Sequence, residues 1–395
     1  MEAAAVADRR TADRPVHREV DRERRRPAAR RQGRHDAQSQ PPSPPRAPQG
    51  APVYSGVLGA TRDARLWLAL LVFSACAPPR QAQFTLSGCA ALDAVWGGPS
   101  DWEPSPDPVL EPGPAGAWDS VDALNPTIVR WRGGWLNLYS GFDGKRWRTG
   151  LARSSDGLHW HKDGSEPILA PDPSSWEADY IAANGATAVR DGKLWHWYQA
   201  GPRNRTRLGL AVSGDGAAWT KDPSPVFETG AAGAWDEAAV GDPYALACGE
   251  YFYLFYLGQD RFGVQRLGVA RSLDGRHWQR SHRNPILETG GAGEFDERGL
   301  GEPAVLFARD QYWMLYVGRD ASEQRRLGWA RSADGVVWSK SGPILSGAQP
   351  WNQPVVCDPD WVVVDGRLQV IYGGGNRPSP DENLNGRIGL AALAE

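Results

Sequence analysis

The 395 residues carry 44 Lys and Arg against 47 Asp and Glu, a net charge of −3, so the overall balance selects no nucleic-acid partner. Hydrophobic residues make up 41% of the chain and there are 19 Trp, which excludes a wholly disordered protein and supplies a large core. Four cysteines in a chain of this length exclude a disulfide-rich scaffold, and no CxxC or HxxxH pattern marks a structural metal.

In chain order, residues 1–56 are Arg- and Pro-rich; residues 1–50 hold twelve Arg and no aromatic residue, so the segment is expected to be disordered. A basic flank at Arg65, the apolar run LWLALLVF and small residues before Cys76 have the layout of a secretory signal over 57–76. The run is too short for a spanning helix. Phe73-Ser-Ala-Cys76 resembles the lipobox of bacterial lipoproteins, with Cys76 as the lipidated residue and Phe73 as a departure from it. Leu86-Ser-Gly-Cys89 fits a lipobox locally, but Pro78, Pro79 and Arg80 interrupt the run before it. Because a signal belongs at an N-terminus, residues 1–56 are expected to precede the true start, near Val57. The chain is then exported and lipid-anchored on the cell envelope, with 77–99 as a linker.

From residue 100 the chain repeats. The stretch at 150–160 (GLARSSDGLHW) returns at 209–219, 268–278 and 328–338, and Trp160, Trp219, Trp278 and Trp338 lie 59, 59 and 60 residues apart. Such a period means one supersecondary unit stacked repeatedly. In the copy from Trp235, an apolar strand (DPYALAC), a turn at Gly249-Glu250, an aromatic strand (YFYLFYLG) and RLGVARS precede an Asp274-Gly275 hairpin. A fourth strand follows at about 277–279. The aromatic strand is apolar on both faces and should be covered on both. Second strands begin at Trp135, Leu194, Tyr251, Tyr312 and Leu368, so the expected fold is all-β, a five-bladed β-propeller of four-stranded antiparallel blades over 100–395. The last copy stops after its third strand, and residues 102–111 (WEPSPDPVLE) look like the missing fourth, an N-terminal strand closing the ring.

Positions alike in every copy are most simply scaffold: the Asp-Gly hairpin, its Trp, and the aromatic-Asp pairs Trp118-Asp119, Trp235-Asp236 and Phe295-Asp296. Seven or eight residues past that aromatic the copies differ, reading Asn125-Pro126, Asn184-Gly185, Asp242-Pro243, Glu302-Pro303 and Asp358-Pro359. Proline is tolerated at the start of an inner edge strand and should hold the residue before it extended, aiming that side chain into the channel mouth. Clustered carboxylates raise one another's proton affinity, which suits an acid–base pair that cleaves a glycosidic bond. Asp122 and Asp179, a few residues earlier in the first two copies, could supply acids that Asn125 and Asn184 do not. Among Trp residues outside the repeat pattern (Trp131, Trp147, Trp197, Trp361), Trp361 is the expected sugar platform. Arg298 and Arg319 lie near acidic positions and could bind a carboxylate or a phosphate. A central divalent cation could sit among the acids; no other cofactor is expected.

Five blades, Asp-Pro or Glu-Pro opening inner strands, and repeated Ala-Arg-Ser-x-Asp-Gly-x-x-Trp together resemble the five-bladed propeller glycosidases. These include the arabinanase/β-xylosidase, invertase/levansucrase and mannoside phosphorylase families. The resemblance implies an oligo- or polysaccharide partner and hydrolysis by three acids on the first three blades. Here those acids would be Asp242, Glu302 and Asp358 on blades three to five, with Glu302 as general acid, Asp242 as base or nucleophile and Asp358 orienting. Asn125, Asn184, Asp122, Asp179, Trp361, Arg298 and Arg319 would bind substrate. A non-catalytic carbohydrate-binding propeller and a phosphate-dependent glycoside phosphorylase are the alternatives, and a monomer is expected.

Overall fold

A computed structural model describes residues 81–96, 98 and 102–393; the expected signal segment, Cys76 and residues 1–56 lie outside them. The described residues are all-β, with no helix among them. Strands recur in antiparallel groups. The third repeat is typical: Ala239–Cys248 pairs with Tyr251–Gln259, which pairs with Gln265–Ser272, which pairs with Gln279–Ser281. The fourth strand therefore starts two residues later than the sequence pattern suggested. Its neighbour on the next repeat begins beside its third strand, with Gln265 opposite Gly299 in parallel register; Arg325 and Val355 repeat this pairing, as do Trp147 and Ile181. First- and third-strand starts of adjacent repeats thus lie side by side at one end of the sheets.

The second strand of the third repeat is covered on both faces: Phe252, Tyr253, Leu254, Phe255 and Tyr256 are all buried. At the chain's end, Arg387–Leu393 pairs with Arg367–Gly375 on one side and with Trp102–Pro104 on the other, with Trp102 opposite Leu393. Leu110 bridges to Ile388 just beyond.

The repeated turn is a local device. The Ser154 hydroxyl donates to Asp156 Oδ1 at 2.9 Å and accepts the Gly157 amide at 2.8 Å, while Asp156 Oδ1 accepts the amides of Leu158 and His159. Gly157 has φ 83°, which its lack of a Cβ permits. The same bonds recur around Ser213, Ser272 and Ser332. In four repeats the acid after the opening aromatic is buried and tied across its repeat. Asp119 accepts from Tyr139 and Lys162, Glu177 from Tyr198 and Lys221, Asp236 from Tyr256 and Arg280, and Asp296 from Tyr316 and Lys340.

Residues 81–96 lie along the repeats. Gln81–Ala82 pairs in parallel with Gln279–Ser281, the Leu86 amide donates to Asp334 O at 2.9 Å, and Phe84, Leu86 and Trp96 are buried. Trp96 meets Trp313 edge-on at 4.9 Å. Cys89 forms a disulfide with Cys248, so the segment expected to be a linker is tied down, and Cys89 has no thiol to lipidate. Cys357 is the free cysteine among the described residues.

Candidate active site

The first strands break register at a common place, between Ala183 and Ala186, Gly241 and Tyr244, Gly301 and Ala304, and Cys357 and Asp360. In the first repeat the gap between Asp122–Leu124 and Ile128–Trp131 takes that place. The residues at these breaks are Asn125, Asn184, Asp242, Glu302 and Asp358, with φ of 48°, 47°, 41°, 52° and 50°. They are left-handed, not extended as the following proline suggested. A bulge re-aims its side chain, and left-handed non-glycine residues cost on the order of 1–3 kcal/mol each, strain that clusters at functional sites. Asn and Asp accept this conformation more readily than most residues.

At four of the five breaks the freed amide finds a side-chain acceptor on an adjoining repeat. Ser140 Oγ takes the Asn184 amide at 2.9 Å, Gln199 Oε1 that of Asp242 at 3.4 Å, Glu302 Oε2 that of Asp358 at 2.9 Å, and Asp358 Oδ2 that of Asn125 at 3.2 Å. The second repeat has Gly185 where the others have proline. A Cβ there would lie 2.3 Å from His196 Nε2, so the buried imidazole fills that space.

Asn125, Asn184, Asp242, Glu302 and Asp358 all line one small cavity of about 30 Å³ between the strands. A larger cavity of about 160 Å³ opens above part of that ring, lined by Asn184, Asp242 and Glu302 but not by Asn125 or Asp358. Asp358 is buried and its oxygens are used: Asn125 Nδ2 donates to Oδ1 at 2.6 Å, and Cys357 Sγ donates to Oδ2 at 3.1 Å. Gly373 makes room for it, since a Cβ there would stand 2.6 Å from Asp358 Oδ2.

Burial, then the nearby Glu302 carboxylate, pushes Asp242 up to about 7, against the hydrogen bond from Asn184 Nδ2 at 3.4 Å. The same two causes push Asp358 well above the carboxylate range. Glu302 faces the buried Arg325 guanidinium at 3.6 Å. The cavity thus holds an acid that keeps its proton near neutral pH beside a carboxylate that has a cationic partner. That is the asymmetry acid–base catalysis requires.

Several expected residues lie elsewhere. Asp122 is buried and accepts the amides of Asn383 and Gly386, both at 2.8 Å; it is a clamp, not a cavity acid. Asp179 is exposed and paired with Arg146 at 2.5 Å. Trp361 packs against Trp96 and Trp102, so it offers the cavity no platform; Trp147 lines the wall instead. Arg298 is exposed and does not line the cavity, whereas Arg319 does.

Unforeseen lining residues are Tyr180, Gln199, Arg203, Gln259, Gln265, Arg325 and Asp381. A signal for some of them was present. The residue before the recurrent third-strand Arg reads Trp147, Thr206, Gln265, Arg325 and Gly386, a column that varies as the bulge column does, and its first four members line the cavity.

Glu302, Cys357 and Asp358 bring ligand-type atoms within 4.8 Å of one another. Burial pushes the Cys357 thiol up, its proton is directed at Asp358, and Arg325 stands beside Glu302. These atoms already satisfy one another, and a thiol that retains its proton is a poor ligand, so the cluster fits a cation badly.

Residues 135–372 match the family model described as glycosyl hydrolases family 32 N-terminal domain. An uncharacterized protein of Mycobacterium tuberculosis is 24% identical over 225 residues, 54% of this chain and 72% of that protein. A 1,2-β-oligomannan phosphorylase of a Thermoanaerobacter species is 28% identical over 130 residues, 31% of this chain and 43% of that protein. The crystal structure of a glycosyl hydrolase from Bacteroides ovatus superposes with a TM-score of 0.59 at 18% identity, over 78% of this chain and 96% of that one. The fold shared with such neighbours is that of the propeller glycosidases.

Proposed function

This protein belongs to the family of glycosyl hydrolases family 32 N-terminal domains, and from that premise we propose that it hydrolyses a glycosidic bond in the cavity shared by Asp242 and Glu302. The observation that carries this reading is the pairing of Asp242, raised to about 7, with Glu302, which has Arg325 as its partner, on one cavity wall. Their electrostatics favour exchanging the two roles expected from sequence. Asp242, the group that holds a proton near pH 7, protonates the leaving oxygen. Glu302 acts as nucleophile or activates water. Asp358 orients Glu302 through its backbone N–H, and Asn184 orients Asp242.

The supporting scaffold is a five-bladed propeller over 100–395, its ring closed by Trp102–Pro104 as the last blade's fourth strand; the pairing with Arg387–Leu393 argues for this. The partner is an oligo- or polysaccharide. The Cys89–Cys248 disulfide favours an oxidising compartment, consistent with a signal over 57–76, lipidation at Cys76 and an envelope location.

Phosphorolysis is the second reading, favoured by the oligomannan phosphorylase relative and by Arg203, Arg319 and Arg325 on the cavity wall. Each of those arginines already faces a carboxylate, Glu382, Glu323 and Glu302 respectively, so hydrolysis is preferred. The test is turnover of aryl glycosides and of plant and microbial oligosaccharides, with and without phosphate, by the wild type, Asp242→Asn and Glu302→Gln. Release of free sugar without phosphate, lost in both variants, is expected. Sugar phosphate as the sole product would select the second reading. Glycan binding with no turnover would make the protein a lectin.

A further inference from the structure

Between second and third strands the connecting loops span 143–146, 202–206, 260–264 and 320–324, but 376–386 in the last repeat. The added length is spent on anchorage to other repeats. Asp122 in the first accepts the amides of Asn383 and Gly386. In the second, the Tyr180 hydroxyl donates to Glu382 Oε2 at 3.0 Å and Arg203 pairs with the same carboxylate. In the fourth, Arg319 donates to Pro380 O at 3.4 Å, and Arg325 donates to Ser379 O at 3.0 Å and to Pro380 O. Leu384 is buried beneath. The segment is therefore a strap clamped at both sides of the mouth, and Pro380 and Asp381 form part of the cavity wall.

Asp381 stands out on this strap. Glu382 and the strap's carbonyls are consumed by anchoring. The Asp381 carboxylate is exposed and accepts no hydrogen bond among the described residues. Arg203, Arg319 and Arg325 each have another carboxylate, so Asp381 is not needed to neutralise them. Arg203 and Arg325 lie within electrostatic reach of Asp381, but its oxygens remain open on the cavity wall, where a carboxylate is an acceptor for neutral hydroxyl donors. We propose that Asp381 binds hydroxyl groups of a terminal sugar, and that the strap carrying it closes the mouth on one side so that the site takes a chain end instead of a chain interior. This rests on the glycan-cleaving reading of the same cavity.

The test is binding of the purified protein to an array of neutral plant and microbial di- to pentasaccharides, β-1,2-manno-oligosaccharides among them, each native or capped at its non-reducing end. The array is read for the wild type and for Asp381→Ala, whose exposed site should leave the melting temperature unchanged. Expected are binding that stops growing with chain length, loss of binding on capping, and about tenfold weaker binding by Asp381→Ala, the size of one lost charge-assisted hydrogen bond. On any glycan that is turned over, KM should rise while kcat changes little. Affinity that climbs with length and ignores the cap would overturn the proposal. So would wild-type binding by Asp381→Ala, or no binding to any member of the array. Cap-sensitive, Asp381-dependent binding without turnover would remove the hydrolase reading and leave this proposal standing.

Discussion

Asp242→Asn should make the protein more stable at pH 8 while abolishing its activity. In the folded state burial and Glu302 raise Asp242 from 3.8 to about 7, so the fold binds this proton more tightly than the unfolded chain does. The stability tied to the bound proton is complete below pH 3.8 and is lost as pH climbs through about 7. A shift of about three units corresponds to about 4 kcal/mol at most. The half-buried side chain keeps some contact with cavity water, so about 2 kcal/mol is the expected cost of ionising it. Asn is nearly isosteric with the protonated acid and escapes that cost. Urea unfolding of both proteins from pH 4 to pH 8 should give curves that converge at the acid end and separate by about 2 kcal/mol at the alkaline end. Equal stability at pH 8, or a gap that widens toward acid, would refute the electrostatic account and with it the assignment of Asp242 as the proton donor.

Removing the Cys89–Cys248 disulfide with Cys248→Ser opens a loop of 159 residues, for which chain entropy alone gives about 5 kcal/mol and measured cases about 2–4; denaturant midpoints with and without reductant report it. Gly185→Ala should destabilise by about 1–3 kcal/mol, because the new methyl meets His196 at 2.3 Å, and a wild-type melting curve would mean the imidazole can swing away. Asp236→Ala leaves the Arg280 charge buried without its carboxylate and should cost about 3–5 kcal/mol, whereas adding Arg280→Met to Asp236→Ala should recover part of it, with Arg280→Met alone closing the double-mutant cycle.

Much was legible in the residues themselves. The Ser-x-Asp-Gly turn closes through bonds within a few residues, so its copies announced a repeat wherever they stood. The varying column of Asn125, Asn184, Asp242, Glu302 and Asp358 was found by comparing repeats, and these five side chains do line one small cavity. The errors came where a neighbour in space outvoted a neighbour in sequence. Proline predicted extended residues before it, but the bulges impose φ near 50° because the freed amides find acceptors on the adjoining repeat. Trp361 stands near Asp358 in sequence, yet the register break between Cys357 and Asp360 uncouples the facing of the two side chains, and the indole packs against Trp96 and Trp102.

What the sequence determined by itself is the period, the strand order and the register of the chemistry within each repeat, since turns, alternation and aromatic spacing are short-range. Which of those positions share a cavity was decided by tertiary structure alone. Asp358 lines only the small cavity and not the larger one, because Gly373, on the adjacent strand of its own repeat, leaves it room and Asn125, from the first, ties it down. Asp381 entered from a strap held by three other repeats. The proton affinity of Asp242 is set by the burial and the Glu302 charge that the fold brings to it, and Arg325 reaches Glu302 only in the folded chain, so the roles proposed for the two acids rest on nothing in their own local sequence.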